Sequence, residues 1–526
     1  MTNAFYLPPI WIERLRPWLE NPSVTKVCHN AKFEYQVLKT MGIVLRGFED
    51  TKIAAYLLGF PSTHLKDLSG TLLGIRQQRY EEWDKESPDY PAADAACTLH
   101  IWRILSEQLR EEGLWDVYRN IELPLVPVLA DMEREGVKID VERLAKVKEH
   151  VSSQLVALAH RVPQVDNLGS SDQIATYLYG TLGLIPPHST PGGKDSVDKA
   201  ALSALDHPTA KIIMEWKGLK KLRDGYLDTL PDLVAEDGRV HGSFNQAGTW
   251  DEEEEEQKES PSTGRLSSSH PNLQNIPRRS NVGRQIRACF VAEEGCVLVR
   301  GDVGQEEARI AALLTNDKRL LERFHHDEDV YIPVGEMVKA LCRKPPSWSP
   351  KEWRELAKVV FLAELYGARE TKLQEVCGKA GARITPLAAA LLDTAFSSEY
   401  SGIADYAEVT TETLQRQGWV STWFGRKRWI PKVYVGNARQ KEEAYREAAN
   451  MPVQGTAADV MKMMLVRVAE GVKGIGRLIL TVHDEVVVEC EEKYVEKVRE
   501  VLLSSTEGLL PVKLPVEVTM GKSWAI

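Results

Sequence analysis

The spacing of apolar and polar positions changes several times along the chain, and each change marks a change of element. Near the start, apolar runs at 24–28 and 53–58 alternate with helical stretches, the pattern of an α/β unit. From Ile121 a helical spacing takes over for roughly a hundred residues, led by Leu123-Pro124-Leu125-Val126-Pro127-Val128-Leu129. Pro187 and Pro191-Gly192-Gly193 break it once, at an exposed tip. Past Gly238, short strands are predicted at 240–244 and 296–300, around an acidic run. Long helices follow from Gln305 to about Ala469, and the end returns to strands at 478–482, 486–489 and 512–518. No internal repeat interrupts this order.

A chain of 526 residues exceeds one core, so three or four domains are expected. Hydrophobic and charged contents of 43% and 27% are ordinary for a globular protein, and no apolar run is long enough for a bilayer, which excludes a membrane role. Met1-Thr2-Asn3-Ala4-Phe5 carries no secretory signal. The seven cysteines, Cys28, Cys97, Cys289, Cys296, Cys342, Cys377 and Cys490, are scattered and lack C-x-x-C spacing, against both a disulfide framework and a zinc site. A cytoplasmic location is expected. The net charge of −10 runs against phosphate binding, but part of it is local. Six consecutive carboxylates at 251–256 form a segment that no core could bury, and a solvated loop is expected there.

Residues 477–489 read as two strands joined by the tight turn His483-Asp484-Glu485. Hairpin turns favour Asn-Gly, Asp-Gly or Gly-x, so two adjacent acids here answer neither propensity nor packing; a solvated acidic turn is the alternative. Asp302 stands past a second apolar strand, 296–300, just before a predicted helix, where a helix cap is the bland explanation. Taken together, two strand-end acids can hold two Mg²⁺ ions about 3.5–4 Å apart for an in-line phosphoryl displacement. The triphosphate side of such a site needs cations. Arg354, Lys358, Leu362 and Tyr366 recur every fourth residue, one stripe passing from charged to apolar to aromatic along a helix, although a solvated basic face has the same spacing. The two cations suit phosphates, and the other two suit sugar and base.

These residues resemble those of the DNA polymerase I family, family A. Asp302-Val303-Gly304-Gln305-Glu306-Glu307-Ala308-Arg309 resembles motif A, Arg354-x3-Lys358-x7-Tyr366-Gly367 motif B, and Val482-His483-Asp484-Glu485 motif C. Thr263-Gly264-Arg265-Leu266-Ser267-Ser268, Asn272-Leu273-Gln274-Asn275-Ile276-Pro277, Phe424-Gly425-Arg426-Lys427-Arg428 and 450–459 stand in the same order as in the family. The resemblance spans essentially the whole chain. It implies a multidomain α/β and α+β protein, a right hand of thumb, palm and fingers on an incomplete RNase H-like 3′–5′ exonuclease domain. The domains expected are 1–112, exonuclease-like; 113–238, thumb; 239–314, first palm part, with the acidic insertion 250–262; 315–432, fingers; and 433–526, second palm part.

By the same resemblance, Asp302 and Asp484, helped by the Val303 carbonyl, are metal ligands, and Glu485 supports them. The ions are two Mg²⁺, replaceable by Mn²⁺. Lys358 neutralises the triphosphate and protonates the leaving pyrophosphate, while Arg354 binds phosphate. Gln305, Tyr331, Leu362 and Tyr366 complete the nucleotide site, and Glu307 crowds the sugar 2′ position. Arg265, Asn275, Arg446, Asn450, Gln454 and His483 match positions on the primer–template, in a groove where shape is read rather than sequence. Lys217, Lys220, Lys221 and Arg223 would hold backbone phosphates, with a solvated helix face as the equal alternative. The partners implied are primer–template DNA and dNTPs, for a monomeric enzyme; use of an RNA template stays open.

The chain departs from the family pattern at several points. Leu362 replaces Phe or Tyr, Phe361 and Ala363 an Asn-Gly pair, Val303-Gly304 a Tyr-Ser pair, and Tyr331 a common His. In the first domain Glu34 replaces an Asp, Tyr90 and Asp94 match the third exonuclease motif, and the Asp-x-Glu motif is missing, since the first aspartate is Asp50. Negligible proofreading is expected, because one lost electrostatic element costs on the order of 10²–10³ in rate; a clipped sequence would show the same gap. A stand-alone exonuclease is ruled out by that gap, and a non-catalytic scaffold by the presence of Asp302, Lys358 and Asp484. The short first domain and lack of a 5′-nuclease region fit a phage or viral replication enzyme.

Overall fold

Valine-rich runs at 297–299 and 486–488 are apolar without alternation, as strands covered on both faces are. They form the middle of a four-stranded antiparallel sheet, ordered Arg477–Val482, Glu485–Glu491, Cys296–Val303, Val516–Gly521. The computed structural model describes residues 7, 9–77, 87–190, 192–247, 249–251, 256–258, 263–278, 280–343 and 345–526, with only the backbone at 9, 249–251 and 256–258. The N-terminal five residues, on which the absence of a signal was read, lie outside it, as do 252–255 and 259–262 of the acidic insertion.

On one face of the sheet, the helix Val495–Ser504 sets Leu502 against Gly301, where a Cβ would come within 3.2 Å of the Leu502 side chain. The largest apolar cluster joins this sheet to the helices Glu306–Thr315, Tyr331–Leu341, Pro350–Leu365 and Ala438–Gly471. Two smaller clusters hold the first domain, on Ile101, Leu105, Leu109 and Tyr118, and the tip of the helical region, on Ile174, Leu178 and Ile213. Where these parts meet lies a group of buried charges. Glu122 Oε1 accepts from Arg426 and from Lys462, both at 2.5 Å, and Arg426 also reaches Asp459 at 2.6 Å.

Four local expectations need correction. The apolar run 53–58 lies mostly in the helix Thr51–Leu57, because Asp50 accepts from the backbone N–H groups of Lys52 and Ile53 and starts a helix; the strand is the preceding Phe48–Asp50, parallel to Lys26–Cys28. A short apolar run does not by itself distinguish the two. The last strand is Val516–Gly521 rather than 512–518, since Pro515 has no N–H to give a ladder. A hairpin, Trp419–Ser421 with Lys427–Trp429, interrupts the helices expected from Gln305 onward. The acidic insertion carries paired backbone, Thr249–Asp251 antiparallel to Glu256–Lys258, where a loop was expected.

Candidate active site

The sheet register sets the acids. Asp302 lies inside its strand, not past the end, directly opposite Glu485 on one neighbour and Glu517 on the other. It caps no helix: Glu306–Thr315 is preceded by Gln305 at φ 54°, with no side-chain cap. The hairpin turns in two residues, His483 and Asp484, with His483 at φ 56°, and Glu485 already pairs with Val482. The Val303 N–H donates to the Asp484 carbonyl at 3.1 Å, which ties Asp484 to the strand end carrying Asp302.

The three carboxylates differ in surroundings. Burial and the charge of Asp302 push the Asp484 carboxyl up, against the pull of Lys358. Asp302 Oδ2 accepts from Arg278 Nη1 at 2.9 Å. Glu485, 2% exposed, accepts from the Trp524 indole and has Arg287, Arg300 and Arg278 at 3.7, 3.9 and 4.0 Å. That much engagement leaves Glu485 as part of the frame. Among the described residues, no three His, Cys, Asp or Glu side chains are grouped to hold a metal ion.

Beside Asp484 opens a cleft of about 310 Å³, lined by Arg265, Gln305, Glu307, Tyr331, Lys358, Leu362 and His483 among others. The helix Pro350–Leu365 starts in a capping box of Ser349 and Glu352 and buries Trp353, Leu356, Ala357, Val360 and Phe361. Its other face therefore brings Lys358 and Leu362 to the cleft. The stripe read from sequence divides at both ends. Arg354 Nε donates to Asp329 at 2.5 Å, with its guanidinium 5.4 Å from the Tyr331 ring, and Tyr331 itself is buried edge-on against Phe361. Tyr366 falls just past the helix end, where its hydroxyl donates to Glu307 at 2.7 Å and is hydrogen-bonded by Gln454. Arg265 grips the other oxygen of Glu307 at 2.5 Å.

The remaining expected contacts are placed less closely. Asn275 is exposed on the short turn Leu273–Asn275, and Arg446, Asn450 and Gln454 lie along Ala438–Gly471, with Arg446 exposed and Asn450 Oδ1 buried without a partner among the described residues. Lys217 is turned inward, its ammonium on the Val197 carbonyl at 3.0 Å, while Lys220 and Arg223 pair with Asp224 and Asp228 and Lys221 is exposed. In the first domain, burial pushes the Glu34 carboxyl up to about 7, Lys66 stands 4.6 Å from the Tyr90 ring, and burial also raises Asp94. Asp50 is taken up structurally, accepting from the N–H groups of Asn30 and Ala31 as well as those of its own helix.

Sequence reasoning missed Arg278, Trp524 and Glu306. Glu306 lines the cleft beside the bonded Glu307, yet is 6% exposed, with Oε1 unpartnered among the described residues; burial and then Asp484 push its carboxyl well up. The doublet Glu306-Glu307 was the available signal for it, and the pair Arg278-Arg279 for Arg278. Nothing in the spacing marks Trp524.

Comparison with known proteins follows the same outline. The model of DNA polymerase family A matches residues 141–526, and a 3′–5′ exonuclease model matches residues 2–110. DNA polymerase I of Chloroflexus aurantiacus is 35% identical across 98% of this chain and 56% of its own length. The thermostable DNA polymerase I of Thermus aquaticus is 34% identical across 92% of this chain and 56% of its own. The chain thus spans little more than half the length of these relatives. A solved structure, the POL domain of Pol1 from M. smegmatis in complex with DNA primer-template and dNTP, superposes with a TM-score of 0.86 at 29% identity, over 99% of this chain and 90% of that one.

Proposed function

The chain belongs to DNA polymerase family A, and we propose that it extends a DNA primer with deoxynucleotides directed by a template strand. The observation that carries this reading is the meeting of Asp302 and Asp484 at one end of the sheet, beside a cleft that also holds Lys358. The raised carboxyl of Asp484 beside Asp302 is a negative surplus that suits a divalent cation. Asp302, Asp484 and the Val303 carbonyl would hold two Mg²⁺, or Mn²⁺ in their place, which supply activation of the primer hydroxyl and neutralisation of phosphate charge.

The chain's own side chains do the rest. Lys358, on the cleft wall, takes the triphosphate and gives a proton to the departing pyrophosphate, and Arg354 joins it on exchanging Asp329 for phosphate. Leu362, Tyr366 and Gln305 bound the sugar and base, while Tyr331 backs Arg354. Glu307, held by Arg265 and Tyr366, stands as a fixed obstacle to a 2′-hydroxyl, and a fixed obstacle discriminates better than a mobile one. Arg265, Asn275, Arg446, Asn450, Gln454 and His483 carry the duplex on this reading, and Lys220, Lys221 and Arg223 its outer phosphates, with Lys217 engaged internally. On this reading the domains divide as given above and the enzyme works as a single chain.

Proofreading is left out of the proposal. Within the described residues, Asp50 is spent on backbone amides, which supports a first domain used as a scaffold. The test is primer extension with Mg²⁺ on DNA and RNA templates with a labelled 3′ end, wild type beside Asp484→Ala. Extension on DNA that vanishes in Asp484→Ala is expected, and extension that survives it overturns the reading. The RNA arm decides reverse transcription. Degradation that disappears in Asp94→Ala would overturn the scaffold role.

A further inference from the structure

The carboxylate of Asp302 already has a cation on it. Arg278 Nη1 donates to Oδ2 at 2.9 Å, in a single-pronged contact, and lies 4.0 Å from Glu485. Glu485 does not depend on it, being held by the Trp524 indole with Arg287 and Arg300 close by. The backbone around Arg278 is anchored, between buried Ile276 and Ser280, whose side chain caps the helix Asn281–Arg287. Its side chain, by contrast, is 51% exposed while that of Asp302 is 21% exposed, so the guanidinium can leave for water while the carboxylate stays. Its charge is also drawn by Asp484. One guanidinium therefore sits where two carboxylates converge.

We propose that Arg278 is the resident counter-ion of Asp302, and that a divalent cation binds there by exchanging with it. The inference rests on the polymerase reading above and adds a positioning residue to it. A guanidinium and a divalent cation repel one another, and a carboxylate oxygen that donates its lone pair to the metal cannot keep its full bond to Arg278. The exchange has two consequences. Asp302 is held in one place before the metal arrives, and the metal's affinity is lowered by whatever the Arg278 pair is worth. Being partly exposed, that pair is worth little enough to be displaced.

The test is Mn²⁺ binding to the full chain without DNA or nucleotide, followed by the electron paramagnetic resonance of free Mn²⁺, for wild type, Arg278→Gln, Arg278→Lys and Asp484→Asn. Arg278→Gln is expected to bind Mn²⁺ about fivefold tighter, the competing charge being gone. Arg278→Lys, which keeps the charge, should remain near wild type, and Asp484→Asn should bind roughly tenfold weaker. Unchanged or weaker binding in Arg278→Gln, with Asp484→Asn weakened, overturns the exchange and leaves the site standing. Equal tightening in Arg278→Lys and Arg278→Gln also overturns it, since charge would not be the cause. Unchanged binding in Asp484→Asn overturns the site itself. Primer–template binding by anisotropy identifies a misfolded variant, and Arg278→Met then replaces the Gln.

Discussion

The backbone N–H of Val303 donates to the backbone carbonyl of Asp484 at 3.1 Å. Two segments far apart in sequence are joined by this bond, and no side chain takes part in it. Chemistry and fold are therefore separable at Asp484. Asp484→Asn is expected to lower single-turnover extension by on the order of 10²–10³ while leaving the thermal midpoint and primer–template affinity near wild type. A large loss of stability would show that the carboxylate itself holds the strand ends.

Leu362 forms part of the cleft wall in place of an aromatic ring. A flat ring there would fix the sugar pose and make it depend on the 3′-hydroxyl. Leu362→Phe is expected to lower dideoxynucleotide use relative to deoxynucleotide use by roughly tenfold. Competitive incorporation of the two substrates measures the ratio, and identical ratios in the two proteins would count against any role of this position in sugar choice.

Glu306 costs stability where it stands. A buried carboxyl with an oxygen left unpartnered is worth about 1–3 kcal/mol of destabilisation. Glu306→Met, similar in volume and free of that demand, should raise the denaturant midpoint correspondingly. A lower midpoint would mean that the carboxyl has a stabilising partner.

Glu364, on the buried face of the helix that carries Lys358, is pushed up from 4.5 to about 8, by burial and then by Asp393. Between those two values the folded chain keeps a proton that the unfolded chain releases. Stability should therefore fall as pH rises through this window, by up to about 1.4 kcal/mol per unit. Urea unfolding at about pH 5 and about pH 8 measures the slope. Glu364→Gln should flatten it.

Glu122 behaves oppositely. Burial alone would raise its carboxyl, but Lys462 and Arg426 outweigh burial and hold it at about 2. Its contribution is present above the usual carboxylate range and is lost as pH falls toward 2. Glu122→Gln leaves two buried cations short of a counter-charge and is expected to cost about 3–5 kcal/mol in equilibrium unfolding. A loss below about 1 kcal/mol would show that Asp459 suffices for both.

What the chain's letters determined was the family and most of the order of helices and strands, and they pointed to the acids and cations on which the proposed site rests. Valine-rich runs without alternation announce buried strands, and the acids Asp484 and Glu485 beside a tight turn stand out locally, although Asp484 lies in the turn and Glu485 already in the strand. The four-residue recurrence of Lys358 and Leu362 likewise survives folding as one helix face. Tertiary structure alone decided which groups are free. Glu306 and Glu307 are neighbours of the same type, yet one oxygen pair is clasped by Arg265 and Tyr366 and the other is partly stranded. Arg278 reaches Asp302, and Trp524 reaches Glu485, across separations that no periodicity encodes. Local pattern is set by each residue's preference for its own backbone and for water. Partnership between distant side chains is set by sheet register and packing, which appear only once the whole chain has closed on itself.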